Sequence, residues 1–247
     1  MRALSEFRNA HAGQDIYVLA SGASMDHVHE AFFDGRVTVG VNQVFRRFAR
    51  ITYLVRKELD GLEAALQSSD DATVHFVSRG EAGGPNSANL QALQGRRYAS
   101  YRQRVVVFDH QKRGFASRNW ALEFPHDGLI VSHSTITSAM HLAAYMGAKH
   151  IILAGHDCGT LDGSLNFRGY HSSSSRAIAW ARHGEADQRS SERRYAHWLT
   201  NNSTLGIERT TLRLKALLWS KYQAYVYSLN PFVNFGLEGH RYRGPRR

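Results

Sequence analysis

The run Ile16-Tyr17-Val18-Leu19-Ala20 breaks into Ser21-Gly22-Ala23-Ser24, four small residues placed where a strand would hand the chain to a helix. Small side chains at such a turn let backbone N–H groups approach an anion, and a helix N-terminus adds its positive dipole end. The chemistry this predicts is phosphate binding, with Ala20, Ser21, Gly22 and Ser24 as the contacting residues. A plainer use of the same letters is a strand-to-helix turn with Ser24 as N-cap. Further along, Ile151-Ile152-Leu153-Ala154-Gly155-His156-Asp157 delivers a carboxylate where a buried strand emerges, poised for a metal, a ribose or an acceptor hydroxyl. An aspartate there can equally cap a neighbouring segment. Fourteen histidines supply candidate bases, since imidazole titrates near pH 6.5.

These groups need a scaffold, and the periodicity supplies alternating β and α segments. Strands are predicted at Ile16–Ala20, Arg36–Val41, Ile51–Val55, Thr73–Val77, Arg104–Phe108, His150–Ala154 and Ala224–Leu229, all short and several apolar on both faces. The clearest helix is Ser134–Met146, with Ile136, Ala139, Met140, Ala143 and Ala144 at helical spacing and Gly147 as its stop. A second spans Gly206–Tyr222, with Leu214, Leu217 and Leu218 inward. The order predicts an α/β fold, a doubly wound, mostly parallel, Rossmann-like sheet that binds ligands at the carboxyl ends of its strands. Residues 79–100 read as a loop with one short helix. Residues 159–190 read as a lid-like excursion within a single domain spanning 1–235, and 236–247 as a basic tail.

A chain of 247 residues, 43% hydrophobic, can bury a sizeable core. No apolar run approaches the roughly 20 residues that cross a bilayer, and Met1–Arg8 lacks a hydrophobic signal core. The lone Cys158 excludes an internal disulfide and a cysteine-rich zinc site. The expected setting is the cytoplasm, free or against the inner membrane face. The net charge of +10 comes mostly from arginine and favours anionic partners, whether nucleotides, nucleic acid or acidic membranes and glycans. Arg241, Arg243, Arg246 and Arg247 fall in the tail, which is either a solvated extension or an arm for nucleic acid.

Three blocks together resemble a known superfamily. Val18-Leu19-Ala20-Ser21-Gly22-Ala23-Ser24-Met25 is similar to the Gly-x-Gly-Pro-Ser-Leu turn of bacterial sialyltransferases, motility accessory factors and hydroxymethylpterin pyrophosphokinase-like proteins, with Ala23 in place of proline. Val39-Gly40-Val41-Asn42-Gln43 resembles their strand that ends in a polar pair. Ser134-Thr135, then Leu142 to Gly147, then Leu153-Ala154-Gly155-His156-Asp157 resembles their Thr-Ser helix, Leu-Gly turn and Leu-x-Gly-x-Asp strand end. Asn230-Pro231 looks like their closing turn.

The resemblance implies a nucleotide site in which the first turn lies against phosphate, Asn42 and Gln43 approach the base, ribose or transferred group, and Ser134 and Thr135 contact the donor. Hydroxyls at a helix start and an Asn amide suit those partners, although Ser134 also suits a cap and Asn42 a turn. Asn166-Phe167-Arg168-Gly169-Tyr170-His171 resembles a lid segment of related proteins, which makes His171 the candidate base, with Asp157 beside it and His156 and His197 as rivals. The family's carboxylate-binding arginine falls at Ser132, its tyrosines near Gly159 and Leu165, and its catalytic histidine near Leu205 or Gly206. Sialic acid as the donor sugar therefore fits poorly, and Arg118 or Arg168 takes the leaving group. The expected function is sugar transfer from a nucleotide-activated donor to a glycan or other hydroxyl acceptor, with no cofactor required. The alternatives are an ATP-dependent pyrophosphokinase-like transfer, with Mg²⁺ held by Asp157 and Asp109 or Asp162, and a nucleotide- or nucleic-acid-binding module without turnover.

Overall fold

A computed structural model describes residues 1–59, 61–80, 88–110, 128–130, 134–157, 166–170 and 205–229. Its strands are β1 (Asp15–Leu19), β2 (Val37–Val41), β3 (Tyr53–Arg56), β4 (Val74–Ser78), β5 (Val105–His110), β6 (Gly128–Leu129), β7 (His150–Ala154) and β8 (Tyr225–Ser228). They form one sheet in the order β6-β5-β4-β3-β2-β1-β7-β8, with every pairing parallel. Among the described residues the α-helices are α1 (Leu62–Ser68), α2 (Ala88–Gln94), α3 (Ile136–Tyr145) and α4 (Leu205–Tyr222). All seven predicted strands occur, because β-branched and aromatic runs bounded by turn residues have few other ways to bury both faces. The sequence reading missed β6, whose two residues pair with Asp109 and His110 and are too few to carry a period.

Adjacent strand residues project to opposite faces, and both faces are covered. On β4, Phe76 joins the larger apolar cluster while Val77 joins a second one with Leu62, Leu66 and Leu93 of α1 and α2. Val106 and Val105 divide in the same way on β5. That is the doubly wound arrangement. Helix α3 is buried along its whole length from Ile136 to Ala144, since it packs on β1, β2 and β7 and is itself covered by α4. Its inward polar residues consequently all need partners. Ser138 Oγ donates to the Ile130 carbonyl at 2.8 Å, and the Ile130 amide donates to His141 Nδ1 at 3.1 Å, which fixes the chain leaving β6.

Two expectations need correction or restriction. No α-helix follows β1; the chain instead makes two 3-10 turns, Ala23–His27 and Glu30–Phe33, before β2. The phosphate-binding geometry of a long helix start is therefore not built there. The lid-like region is described only at 166–170, and the tail at 236–247 lies outside the described residues. The short helix expected in 79–100 is α2, and Arg96–Arg104 continues as a 3-10 segment. Among the described residues no helix is long and apolar enough to cross a membrane.

Candidate functional site

The chain leaves β1 toward β2 on one side, while β7 lies on its other side, so the sheet order reverses at β1. Open α/β sheets bind ligands in the crevice outside the carboxyl ends at such a reversal. Here the two chains run on together past the strands. The Ala20 amide donates to the Ala154 carbonyl at 2.8 Å and the Gly22 amide to Gly155 at 2.8 Å. Gly155 holds φ +69°, which turns β7's exit back toward the first turn.

The turn after β1 does bind an anion, and that anion is the Asp157 side chain. The Ser24 amide donates to Asp157 Oδ2 at 2.8 Å, and Ser24 Oγ donates to Oδ1 at 2.5 Å. Both residues are buried, at 5% and 3% exposure, so the carboxylate takes charge-assisted bonds away from water. Gly22 is required by space alone. Its φ of −62° and ψ of 156° suit any residue, but a Cβ would lie 2.4 Å from Asp157 Cγ and 2.4 Å from the Gly155 carbonyl. Ser21 stays half-buried at the edge of this clamp, its carbonyl accepting from the Phe167 amide at 3.0 Å. Asn166 forms an antiparallel bridge with Gly22, and the Arg168 amide donates to Asp26. The described part of the lid-like segment therefore lies against the turn.

Asn42 closes β2 in the left-handed region, at φ +52°, a conformation that Asn tolerates better than most residues. Its amide donates to the Val55 carbonyl at 3.0 Å, and its carbonyl accepts from Arg56 Nη2 at 2.8 Å. The side chains of Asn42 and Gln43 are half-buried, and Gln43 Oε1 is a buried acceptor, beside Gly61, without a hydrogen-bond partner among the described residues. Arg56 was missed by sequence reasoning, yet among the described residues it is the largest fully buried side chain, at 2% exposure. A guanidinium closing the apolar run Tyr53-Leu54-Val55 was the available signal. Lys57 follows it, and burial lowers its pKa to about 8 against the opposing influence of Glu58.

Ser134 Oγ accepts from the Ile136 amide at 3.3 Å, and its carbonyl accepts from Thr137 Oγ1 at 2.8 Å, so this residue organises the first turn of α3. Thr135 occupies the N-cap position itself without a side-chain cap bond, at 6% exposure. His156 is buried at 5% exposure, and its Nε2 lies 2.9 Å from Thr211 Oγ1 of α4. The Thr211 hydroxyl is also 2.9 Å from the Ile207 carbonyl, so it links the histidine to the first turns of α4. Burial lowers the His156 pKa to about 4, which makes it a neutral tie between β7 and α4 rather than a group poised near neutrality. Asp109 pairs with Arg79 at 2.5 Å, on the far side of β3 and β4 from Asp157. His171, His197, Asp162, Arg118 and Ser132 lie outside the described residues.

Among the described residues, three buried imidazoles make stability depend on pH. Burial lowers His75 and His141 to about 3 and His156 to about 4, while an unfolded chain protonates each near 6.5. Below pH 6.5 the unfolded state binds more protons, so the stabilisation present above that pH is lost as pH falls toward 4. Each histidine contributes a slope of about 1.4 kcal/mol per pH unit in that window. The urea midpoint is expected to drop steeply between pH 6.5 and 5, and His141→Gln should flatten the curve; a constant midpoint over that range contradicts the assignment.

No protein-family model matches the chain, and no curated protein matches it. Among solved structures, the sialyltransferase CstII from Campylobacter jejuni in complex with a substrate analogue, cytidine-5'-monophosphate, is 13% identical. The match covers 91% of this chain and 83% of that one, with a TM-score of 0.49. The same enzyme in complex with CMP-3FNeuAc is 9% identical over 90% of this chain and 84% of that one, with a TM-score of 0.47.

Proposed function

We propose that the protein transfers a sugar from a nucleotide-activated donor to a hydroxyl acceptor, with the nucleotide lying over the carboxyl ends of β1, β2 and β7. The observation that carries this reading is the Ser24–Asp157 clamp at the sheet's reversal point, which holds the turn past β1 while the parallel neighbour β2 ends just before Asn42. A preorganised polar corner costs little to order when a ligand arrives. Ser21 and the Ser134 hydroxyl then meet phosphate, and the Asn42 amide offers a donor and an acceptor to the ribose or base. Gln43 and Thr135 stand next to those contacts.

In the reaction, the acceptor oxygen bonds to the anomeric carbon as the bond from that carbon to the phosphate oxygen breaks. The acceptor's proton passes to a base, for which His171 is the candidate, and the nucleotide phosphate departs with the bonding electron pair. Backbone amides and a guanidinium such as Arg168 stabilise the charge that develops on it. Asp157 acts as a positioning residue, because both its oxygens face Ser24.

The test is ligand-dependent melting against CMP, UDP, GDP, CMP-sugars, ATP with Mg²⁺ and short oligonucleotides. A nucleotide or nucleotide-sugar at 100 times its Kd should add about 2.7 kcal/mol of stability. Asn42→Gly keeps the left-handed corner and removes the amide, so it should weaken that ligand roughly tenfold with little change in the ligand-free melting temperature. If no nucleotide shifts melting at millimolar concentration, or only oligonucleotides do so in a salt-sensitive manner, the reading fails.

A further inference from the structure

The cover over the sheet thins at its β8 end. Apart from Met1, the exposed large hydrophobic side chains among the described residues are Phe32, Trp219, Tyr225, Tyr227 and Leu229, each 39% to 42% exposed. The sheet gathers them. Residues in register on parallel strands project to the same face, so Tyr225 shares a face with His150 and Asp15, and Tyr227 shares it with Ile152 and Tyr17. The Phe32 ring continues that face 5.8 Å from the Tyr17 ring, and Ile152, half-buried, lies between Tyr17 and Tyr227. At the β8 edge, the Trp219 ring of α4 is 4.4 Å from that of Tyr225, which is 6.3 Å from that of Tyr227. Single exposed apolar side chains are ordinary on a folded protein, but a row of them across one face marks a contact surface.

The charge that accompanies this row says what it would meet. The Arg36 guanidinium lies over the Phe32 and Tyr17 rings at 4.6 and 5.0 Å. Lys149, directly before His150, and Lys221, between Trp219 and Tyr225 in the chain, are both exposed. From Arg209 to Leu237 the sequence holds Arg209, Arg213, Lys215 and Lys221 and no acid, and Arg241, Arg243, Arg246 and Arg247 follow. Exposed Trp, Tyr, Phe and Leu beside cations suit the headgroup layer of an anionic bilayer, where rings enter the acyl boundary and cations stay at the phosphates. A single-stranded nucleic acid is tracked instead by a cation-lined groove, whereas this face carries the Asp15 carboxylate, paired with His150 Nδ1 at 2.7 Å. We propose that the β1-β7-β8 face rests on the headgroup layer of an anionic lipid bilayer, with Phe32, Tyr225, Tyr227 and Trp219 entering it and Lys149 and Lys221 at its phosphates. The net charge of +10 draws the chain to such a surface. The contact is peripheral, since tyrosine hydroxyls hold their rings at the wet boundary. It is independent of the sugar-transfer reading, because it uses a face of the sheet and not the carboxyl ends of β1 and β2.

The experiment is flotation of the full chain, at fixed ionic strength, with vesicles of phosphatidylcholine alone and of phosphatidylcholine mixed equally with phosphatidylglycerol. The anionic vesicles should bind at least about tenfold more tightly, a preference that two cations near the surface suffice to give. Lys149→Gln with Lys221→Gln should remove most of it. Tyr225→Ser with Tyr227→Ser should weaken binding to the anionic vesicles by at least about tenfold, and Leu229→Ser alone should weaken it severalfold, so the test does not hang on one variant. Trp219 gives a local readout. Tryptophan emission should move to the blue on anionic vesicles and be quenched by lipids brominated along the acyl chain, and both responses should shrink in Trp219→Phe while binding persists. Absence of binding to anionic vesicles, or binding that survives the tyrosine and Leu229 variants, overturns the proposal. A lipid-free dimer in sedimentation velocity that the tyrosine variants abolish would also overturn it, by assigning the face to a second copy of the chain. Tight binding of a single-stranded oligonucleotide with the same sensitivity would do so by assigning the face to nucleic acid.

Discussion

Gly22→Ala is expected to destabilise the protein by at least about 3 kcal/mol, which for a chain of this size lowers the melting temperature by roughly 6–12 °C. The added methyl carbon would sit 2.4 Å from Asp157 Cγ and Oδ2 and 2.4 Å from the Gly155 carbonyl, well inside van der Waals contact. Neither neighbour can give way cheaply. The carboxylate is held by two bonds from Ser24, and the Gly155 carbonyl accepts from the Gly22 amide itself. Relief requires breaking the clamp, which strands buried polar groups. Gly35→Ala is the control, because Gly35 has φ +70° but nothing within 4 Å of a Cβ. It should cost only about 1 kcal/mol, the penalty of a left-handed backbone. Urea and thermal melts of both variants make the comparison, and a Gly22→Ala protein as stable as the Gly35→Ala control would contradict the packing.

Asp157→Ala should cost about 2–4 kcal/mol and also weaken nucleotide binding by tenfold or more. Removing the carboxylate leaves the Ser24 amide and hydroxyl buried without that partner, and the penalty of stranding them exceeds the net value of the bonds. Asp157→Asn keeps the volume, and its carbonyl can accept from the Ser24 amide while its NH₂ donates to the Ser24 hydroxyl, so it should rescue a large part of the loss in stability. A double-mutant cycle with Ser24→Ala separates the clamp from Asp157's other contacts. The expected coupling is about 1–3 kcal/mol, and additivity within about 0.5 kcal/mol would mean that the two residues do not act as a unit. Wild-type nucleotide affinity in a folded Asp157→Ala protein would remove Asp157 from the site's support.

Much of this was legible in the sequence for identifiable reasons. Short β-branched runs separated by helical spacing fixed the seven strands, α3 and α4 to within two residues or so at their ends, because burial on both faces leaves few other arrangements. Ser24 and Asp157 were each identifiable as polar groups at strand exits. Their pairing was not, since 133 residues separate them and only the position of β7 beside β1 brings them together. The turn after β1 was read as opening an α-helix because small residues at a strand end suit that, whereas the chain makes two 3-10 turns that seat Met25 and Phe33 in the core. His156 looked like a base from its place before Asp157; its burial against Thr211 is a tertiary fact. Arg56 was hidden by its type, since a lone arginine ending a strand is ordinarily solvated and only the packed Phe45 and the Asn42 carbonyl reveal its use.

The most direct test of the account is an amide-resolved NMR titration of the full chain with the nucleotide or nucleotide-sugar that most raises its melting temperature. The account predicts saturable shifts concentrated at Ser21–Ser24, Asn42–Gln43 and Ser134–Thr135, with Asp157 among them and the β5–β6 edge silent. Shifts confined to that edge or to the exposed face of β8, with the amides around Ser21, Asn42 and Ser134 unmoved at saturation, would contradict it.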